Sequence, residues 1–186
     1  MRRTAELGFL LALALILSYV ESLIPFSFGI PGMKLGLPNL IVLLLLYERP
    51  GTGKNPSKDG QNHMAAEEKI FSTGVREAVL VNGLRIILSG FLFSNLYAIL
   101  YALSGAALSL SAMLAGKKYG RFSMIGVSVL GGVFHNVGQI LVAMAVVETF
   151  AVAYYLPFLI VAGTVTGAVL GFAGMELVPY LRRPVS

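Results

Sequence analysis

The feature that most constrains this chain is a series of long apolar runs separated by short polar breaks. A helix needs about 20 mostly apolar residues to cross the hydrocarbon core of a bilayer. Six runs approach or meet that length: Leu7 to Ile24, Leu35 to Tyr47, Ala78 to Phe93, Asn95 to Ala115, Phe122 to Val147, and about Tyr154 to Val178. The second is short and follows a Pro- and Gly-rich stretch, so it is expected to be tilted, kinked or partly re-entrant. The pattern predicts an all-α integral membrane protein, a six-helix transmembrane bundle occupying residues 1–186 as a single domain.

Composition agrees. Of the 186 residues, 56% are hydrophobic and only 12% charged, against about 45–50% and about 25% in soluble domains. The apolar surplus exceeds what one soluble core can hold, which argues against a soluble enzyme, a disordered chain or a nucleic-acid-binding module. A pI of about 9.6 would suggest nucleic acid in a soluble chain. Here it follows from where the cations sit. With the N-terminus inside, twelve of the 14 Lys and Arg residues fall in the segments 1–6, 48–76, 116–121 and 179–186. The outer connections near 25–33, 94 and 148–153 hold none. That asymmetry is the positive-inside pattern, and it predicts a multi-pass membrane protein with both termini in the cytoplasm, with lipid as its surroundings and no nucleic-acid partner. Met1-Arg2-Arg3 and the first run resemble the start of a signal peptide, but no small-x-small cleavage site follows cleanly, so the run reads as a retained helix.

Segment 48–70 is polar, with Pro, Gly and mixed charges. It reads as a flexible cytoplasmic loop that ends in a short amphipathic helix near Met64–Phe71. Pro50-Gly51-Thr52-Gly53-Lys54 only faintly resembles a phosphate loop: the leading Gly, the Ser/Thr after Lys and the preceding strand are missing.

Ionisable and amide side chains at membrane depth are costly, and they mark functional positions by default. Lys34 stands just before the second run, where it either snorkels to the outer headgroups or faces a cavity. Arg85 lies about nine residues into the third run with Asn82 on the same helical face. It needs an acceptor: an internal carboxylate such as Glu21 or Glu148, a carbonyl, or an anionic ligand. In the fifth run His135, Asn136 and Gln139 form one polar stripe, which serves either as interhelical glue or as a ligand contact. Lys34, Asn39, Asn82, Arg85, His135, Asn136 and Gln139 are therefore the candidate substrate-binding residues.

Ala14, Ser18 and Ser22 line one face of the first helix, and Gly163, Gly167, Gly171 and Gly174 recur on the sixth. Small faces let helices approach closely, within one chain or between subunits. The sequence has no cysteine and one aspartate, Asp59. Neither a cysteine metal site nor a cluster of carboxylates for Mg²⁺-diphosphate chemistry is expected. The chain is expected to be a non-enzyme without metal or cofactor.

Several stretches carry a resemblance: Gly32-Met33-Lys34-Leu35-Gly36-Leu37-Pro38-Asn39, Glu77-Ala78 with Arg85, Leu103-Ser104-Gly105-Ala106, Gly126-Val127-Ser128, Gly132 through Gln139, and Tyr154-Tyr155-Leu156-Pro157 leading to Gly163 through Gly167. Together they resemble the bacterial Gx transporter family, often labelled heptaprenyl diphosphate synthase component I. That family is similar to the S components of energy-coupling-factor transporters. The resemblance implies six helices and a small substrate bound from the outer side, capped by the connection between helices one and two. It also implies a transmembrane T component with two cytoplasmic ATPases, facing Ala14, Ser18 and Ser22. Two serines depart there from the family's Ala-xxx-Ala pattern. The synthase label implies instead a membrane accessory subunit that assists a soluble prenyltransferase. Two deep cations favour an anionic or polar substrate. A stand-alone ion-coupled carrier is a third reading, weakened by the lack of an evident inverted repeat or acidic relay.

Overall fold

The structure is a computed structural model that describes residues 2–23, 34–48, 60–120 and 122–181. For residue 2 and residues 60–70 the description is of the backbone alone. Every regular element among the described residues is helical: α1 (Arg2–Leu23), α2 (Asn39–Tyr47), α3 (Gly60–Phe93), α4 (Leu96–Lys118), α5 (Met124–Val147), a 3₁₀ segment (Phe150–Tyr155) and α6 (Leu156–Leu181). Four helical stretches are long and apolar enough to cross a membrane, Arg3–Leu23, Leu96–Lys118, Met124–Val147 and Phe150–Leu181.

Starts are set by local chemistry. Asn95 caps α4 by accepting from the Ala98 amide at 2.9 Å, and Ser123 caps α5 by accepting from the Gly126 amide at 3.2 Å. Each side chain satisfies one of the N–H groups that a helix start leaves over.

Two segments differ from the sequence reading. The second run forms a helix of nine residues. That length covers about 13 Å, well short of the roughly 30 Å hydrocarbon core. Residues 34–36 before it are not helical, and 37–38 form a turn. Asn39 through Leu46 are all buried, as suits a helix that is apolar on every side. The third helix, in contrast, is longer than its apolar run. It is continuous over 34 residues from Gly60, about 50 Å. Residues 60–70 thus extend the third helix instead of closing a loop with a separate short one. Residues 49–59, with the phosphate-loop-like stretch and Asp59, and the expected cap at 24–33 lie outside the described residues.

The core is organised around α2. Leu40 through Leu46 pack with Leu10 and Ala14 of α1, Ala78 and Val81 of α3, Met113 of α4, Val127 of α5, and Leu170 and Val178 of α6. Close helix approach is concentrated on α5. A Cβ built on Gly132 would stand 2.3 Å from the Gly163 carbonyl oxygen, and one on Gly138 would stand 2.6 Å from that of Ser104. The α6 glycines meet α5 in the same way: Gly167 faces Val129, and Gly171 faces Ile125. The small-residue face of α6 therefore serves packing within the chain, up to Gly174, which abuts Met124 and Leu43.

One end of the bundle is tied by charge. Arg3 at the start of α1 donates to Glu48 after α2 at 2.8 Å, to Glu77 of α3, and to Glu6 at 3.1 Å. Lys117 near the end of α4 donates to the Leu46 carbonyl and lies 4.5 Å from the Tyr47 ring centroid.

Candidate functional site

The functional candidates gather toward the other end of α1 and α3, where a carboxylate, two cations and several amides are drawn inside. Glu21, near the end of α1, is only 4% exposed. Its Oε1 accepts from the Gly36 amide and, at 3.2 Å, from the Leu37 amide. The last turn of α1 thereby holds the non-helical segment that leads into α2. Gly36 has φ +87°, a left-handed conformation that favours glycine. A Cβ there would stand 2.9 Å from Asn39 Nδ2 and 3.0 Å from His135 Cδ2. Glu21, Asn39 and His135 thus all surround Gly36.

Lys34 is fixed at both ends. Its backbone N–H donates to Gln139 Oε1 at 3.2 Å, and its ammonium donates to Ser94 Oγ at 3.2 Å. These partners tie the half-buried Lys34 to α5 and to Ser94, just after α3. The first bond also orients the Gln139 amide. With Oε1 accepting from Lys34, Nε2 is left to donate, and it lies 3.0 Å from His135 Nε2. His135 Nε2 must then accept, which assigns a neutral imidazole with its proton on Nδ1. That nitrogen faces α4, where a Cβ on Gly105 would stand 2.9 Å from it.

Arg85 is 3% exposed. Its Nε and Nη2 donate to Asn82 Oδ1 at 3.2 and 2.7 Å, and its Nη1 donates to Ser18 Oγ at 3.3 Å. Neither carboxylate considered from sequence pairs with it. Among the described residues Glu21 and Glu148 form no ion pair.

The structure therefore brings Lys34, Asn39, His135 and Gln139 together around the entry to α2, with Asn82 and Arg85 beside them on α3. Asn136 is turned away. Its Nδ2 donates to the Leu159 carbonyl of α6 at 2.7 Å, beside the Gly132–Gly163 crossing. Ala14 and Ser18 are also placed inward, 2% and 0% exposed. Ala14 packs in the core around α2, and Ser18 accepts from Arg85. Ser22 alone of that face is exposed, its hydroxyl donating to the Tyr19 carbonyl at 2.6 Å.

Sequence reasoning left out Glu21 as a site residue, together with Ser94, Gly36 and Gly105. Glu21 had a signal, being an ionisable residue inside an apolar run. Among the described residues, four buried polar atoms have no hydrogen-bond partner: Glu21 Oε2, Asn39 Nδ2, His135 Nδ1 and Asn136 Oδ1. Three of them belong to residues around Gly36. Among the described residues, no three His, Cys, Asp or Glu side chains gather in a way that could hold a metal ion.

A second, apolar feature lies between the C-terminal half of α4 and the N-terminal half of α5. This groove, of about 400 Å³, is lined by Leu108, Ala112, Tyr119, Phe122, Leu130 and Phe134 among others.

No curated protein and no solved structure matches the chain. A family profile described as heptaprenyl diphosphate synthase component I matches residues 10–52 and 67–177. The match takes in the whole polar centre, from Glu21 through Gln139, and leaves out the polar stretch between α2 and the body of α3. The chain belongs to the heptaprenyl diphosphate synthase component I family.

Proposed function

We propose that the chain is a membrane-embedded, non-catalytic component of a heptaprenyl diphosphate synthase system, binding a small anionic ligand beside Lys34 and Arg85. The observation that carries this reading is family membership across most of the chain, on a body with four long apolar helices. In this reading the helices form a bundle with both termini in the cytoplasmic compartment of a bacterial membrane, and the partner is a soluble prenyltransferase. The polar centre offers the diphosphate two cations. The groove between α4 and α5 offers apolar surface suited to a prenyl chain. The test is to add the purified chain in lipid nanodiscs to a candidate prenyltransferase and measure chain elongation. A change in rate or product length supports the assignment, and no change in either removes it.

A second reading is favoured by the placement of the polar centre. It lies away from the Arg3–Glu48–Glu77 end, beneath the segment that enters α2, as a substrate-capture subunit of a transporter would have it. Its partners would be a transmembrane T component and two ATPases. Uptake of substrate into proteoliposomes only when those partners are present would decide for it.

A further inference from the structure

A guanidinium and a carboxyl group are buried in this centre without meeting. Arg85 bonds Ser18, about one turn before Glu21 on α1, yet among the described residues no ion pair joins Arg85 to Glu21. A buried charge is costly unless it is paired and hydrogen-bonded. Arg85 spends three N–H groups on Asn82 and Ser18, and its guanidinium fork has more than those partners use. Glu21 spends Oε1 on two backbone amides and leaves Oε2 without a partner. Asn39 Nδ2, against Gly36, is a buried donor without an acceptor. Capacity on Glu21 Oε2, Asn39 Nδ2 and Arg85 therefore remains open around the entry to α2.

We propose that Glu21 is a ligand-binding residue, and that the molecule held here carries a hydrogen-bond donor for Glu21 Oε2 beside the anionic group that faces Arg85, Lys34 and Asn39. This rests on the reading of the polar centre as an anion site. The ligand class is then an anion with an amino or hydroxyl group, such as an amino- or hydroxy-substituted acid or phosphate. A bare anion presents only acceptors, and it meets the Glu21 carboxylate with like charge. A diphosphate satisfies the site only if it brings a proton or a donor group of its own.

The probes are methylenediphosphonate and aminomethylenediphosphonate, which share the anion and differ by one amine. Binding of each is measured by calorimetry on the full chain in lipid nanodiscs. The wild type is expected to bind the amino probe about tenfold more tightly, the worth of one charge-assisted hydrogen bond. Glu21→Gln keeps an oxygen for the Gly36 and Leu37 amides, and it is expected to reduce the preference to less than about twofold while still binding the parent anion. Equal binding of the two probes by the wild type overturns the assignment of Glu21, and so does a preference that survives in a folded Glu21→Gln protein. Should that variant fail to fold, the wild-type ratio alone decides. Failure of the wild type to bind either probe overturns the anion site itself, and this proposal with it.

Discussion

Ser18 of α1 and Arg85 of α3 meet inside the bundle, the hydroxyl accepting from Nη1 at 3.3 Å. This contact fixes which way the small face of α1 points, and it gives a buried guanidinium one of its acceptors. It also connects the packing of the first helix with the polar centre, because Glu21 follows Ser18 by about one turn.

Replacing Arg85 tests that connection. Lysine is a point charge and cannot reproduce a planar fork shared between Asn82 and Ser18. Arg85→Lys is expected to weaken binding of a small anionic probe by about tenfold, and Arg85→Ala to abolish it. Both should leave a folded protein by size-exclusion chromatography. Wild-type affinity in a folded Arg85→Ala protein removes the residue from the site.

The glycine at the entry to α2 should behave as part of the site. Gly36→Ala forces a Cβ into a left-handed conformation and to within 3.0 Å of both Asn39 and His135. The strain is expected to be about 1–2 kcal/mol, with loss of ligand binding larger than the loss of thermal stability. Gly120→Ala is the control. It carries a similar backbone strain at φ +64° with open space around the Cβ, so it should lower the melting temperature and leave binding unchanged.

Helix approach at α5 makes a different pair of predictions. Gly132→Ala places a methyl against the Gly163 carbonyl and is expected to destabilise by about 1–3 kcal/mol. Gly83→Ala meets nothing within 4 Å and replaces a mid-helix glycine, so it is expected to stabilise by about 0.5–1 kcal/mol. Melting temperatures in one detergent, compared side by side, check both signs.

At the opposite end, Arg3 is the shared donor for Glu48 and Glu77, whose side chains are 14% and 11% exposed. Arg3→Gln leaves the two carboxylates without the cation between them. A loss of about 1–2 kcal/mol is expected, seen as a lower melting temperature, with anion binding at the distant polar centre unchanged.

The helical class and most helix positions were legible because apolar runs of membrane length admit few alternatives. The exceptions have physical causes. The run Leu35 to Tyr47 looks like a span in composition, but an apolar helix can also be buried on all sides by other helices, and periodicity does not separate the two. The start of α3 was hidden because residues 60–70 are polar, and helical continuity across a polar stretch leaves no apolar signature. Within the site, Lys34, Arg85, His135 and Gln139 stood out by the cost of burying them. Their partners did not: Ser94 and Ser18 are ordinary serines until the fold sets them against Lys34 and Arg85. Asn136 and His135 are adjacent in sequence, but consecutive helical positions point about 100° apart, so one faces α6 and the other faces the entry to α2.

The measurement that tests the central assignment most directly is gentle extraction from the native membrane followed by native mass spectrometry of the intact complex. A membrane-embedded synthase component should come out bound to a soluble prenyltransferase, and Arg85→Ala should lose any retained small molecule without losing that partner. A complex with a polytopic membrane protein and two ATPases, and no prenyltransferase, would contradict the assignment and establish the transporter reading in its place.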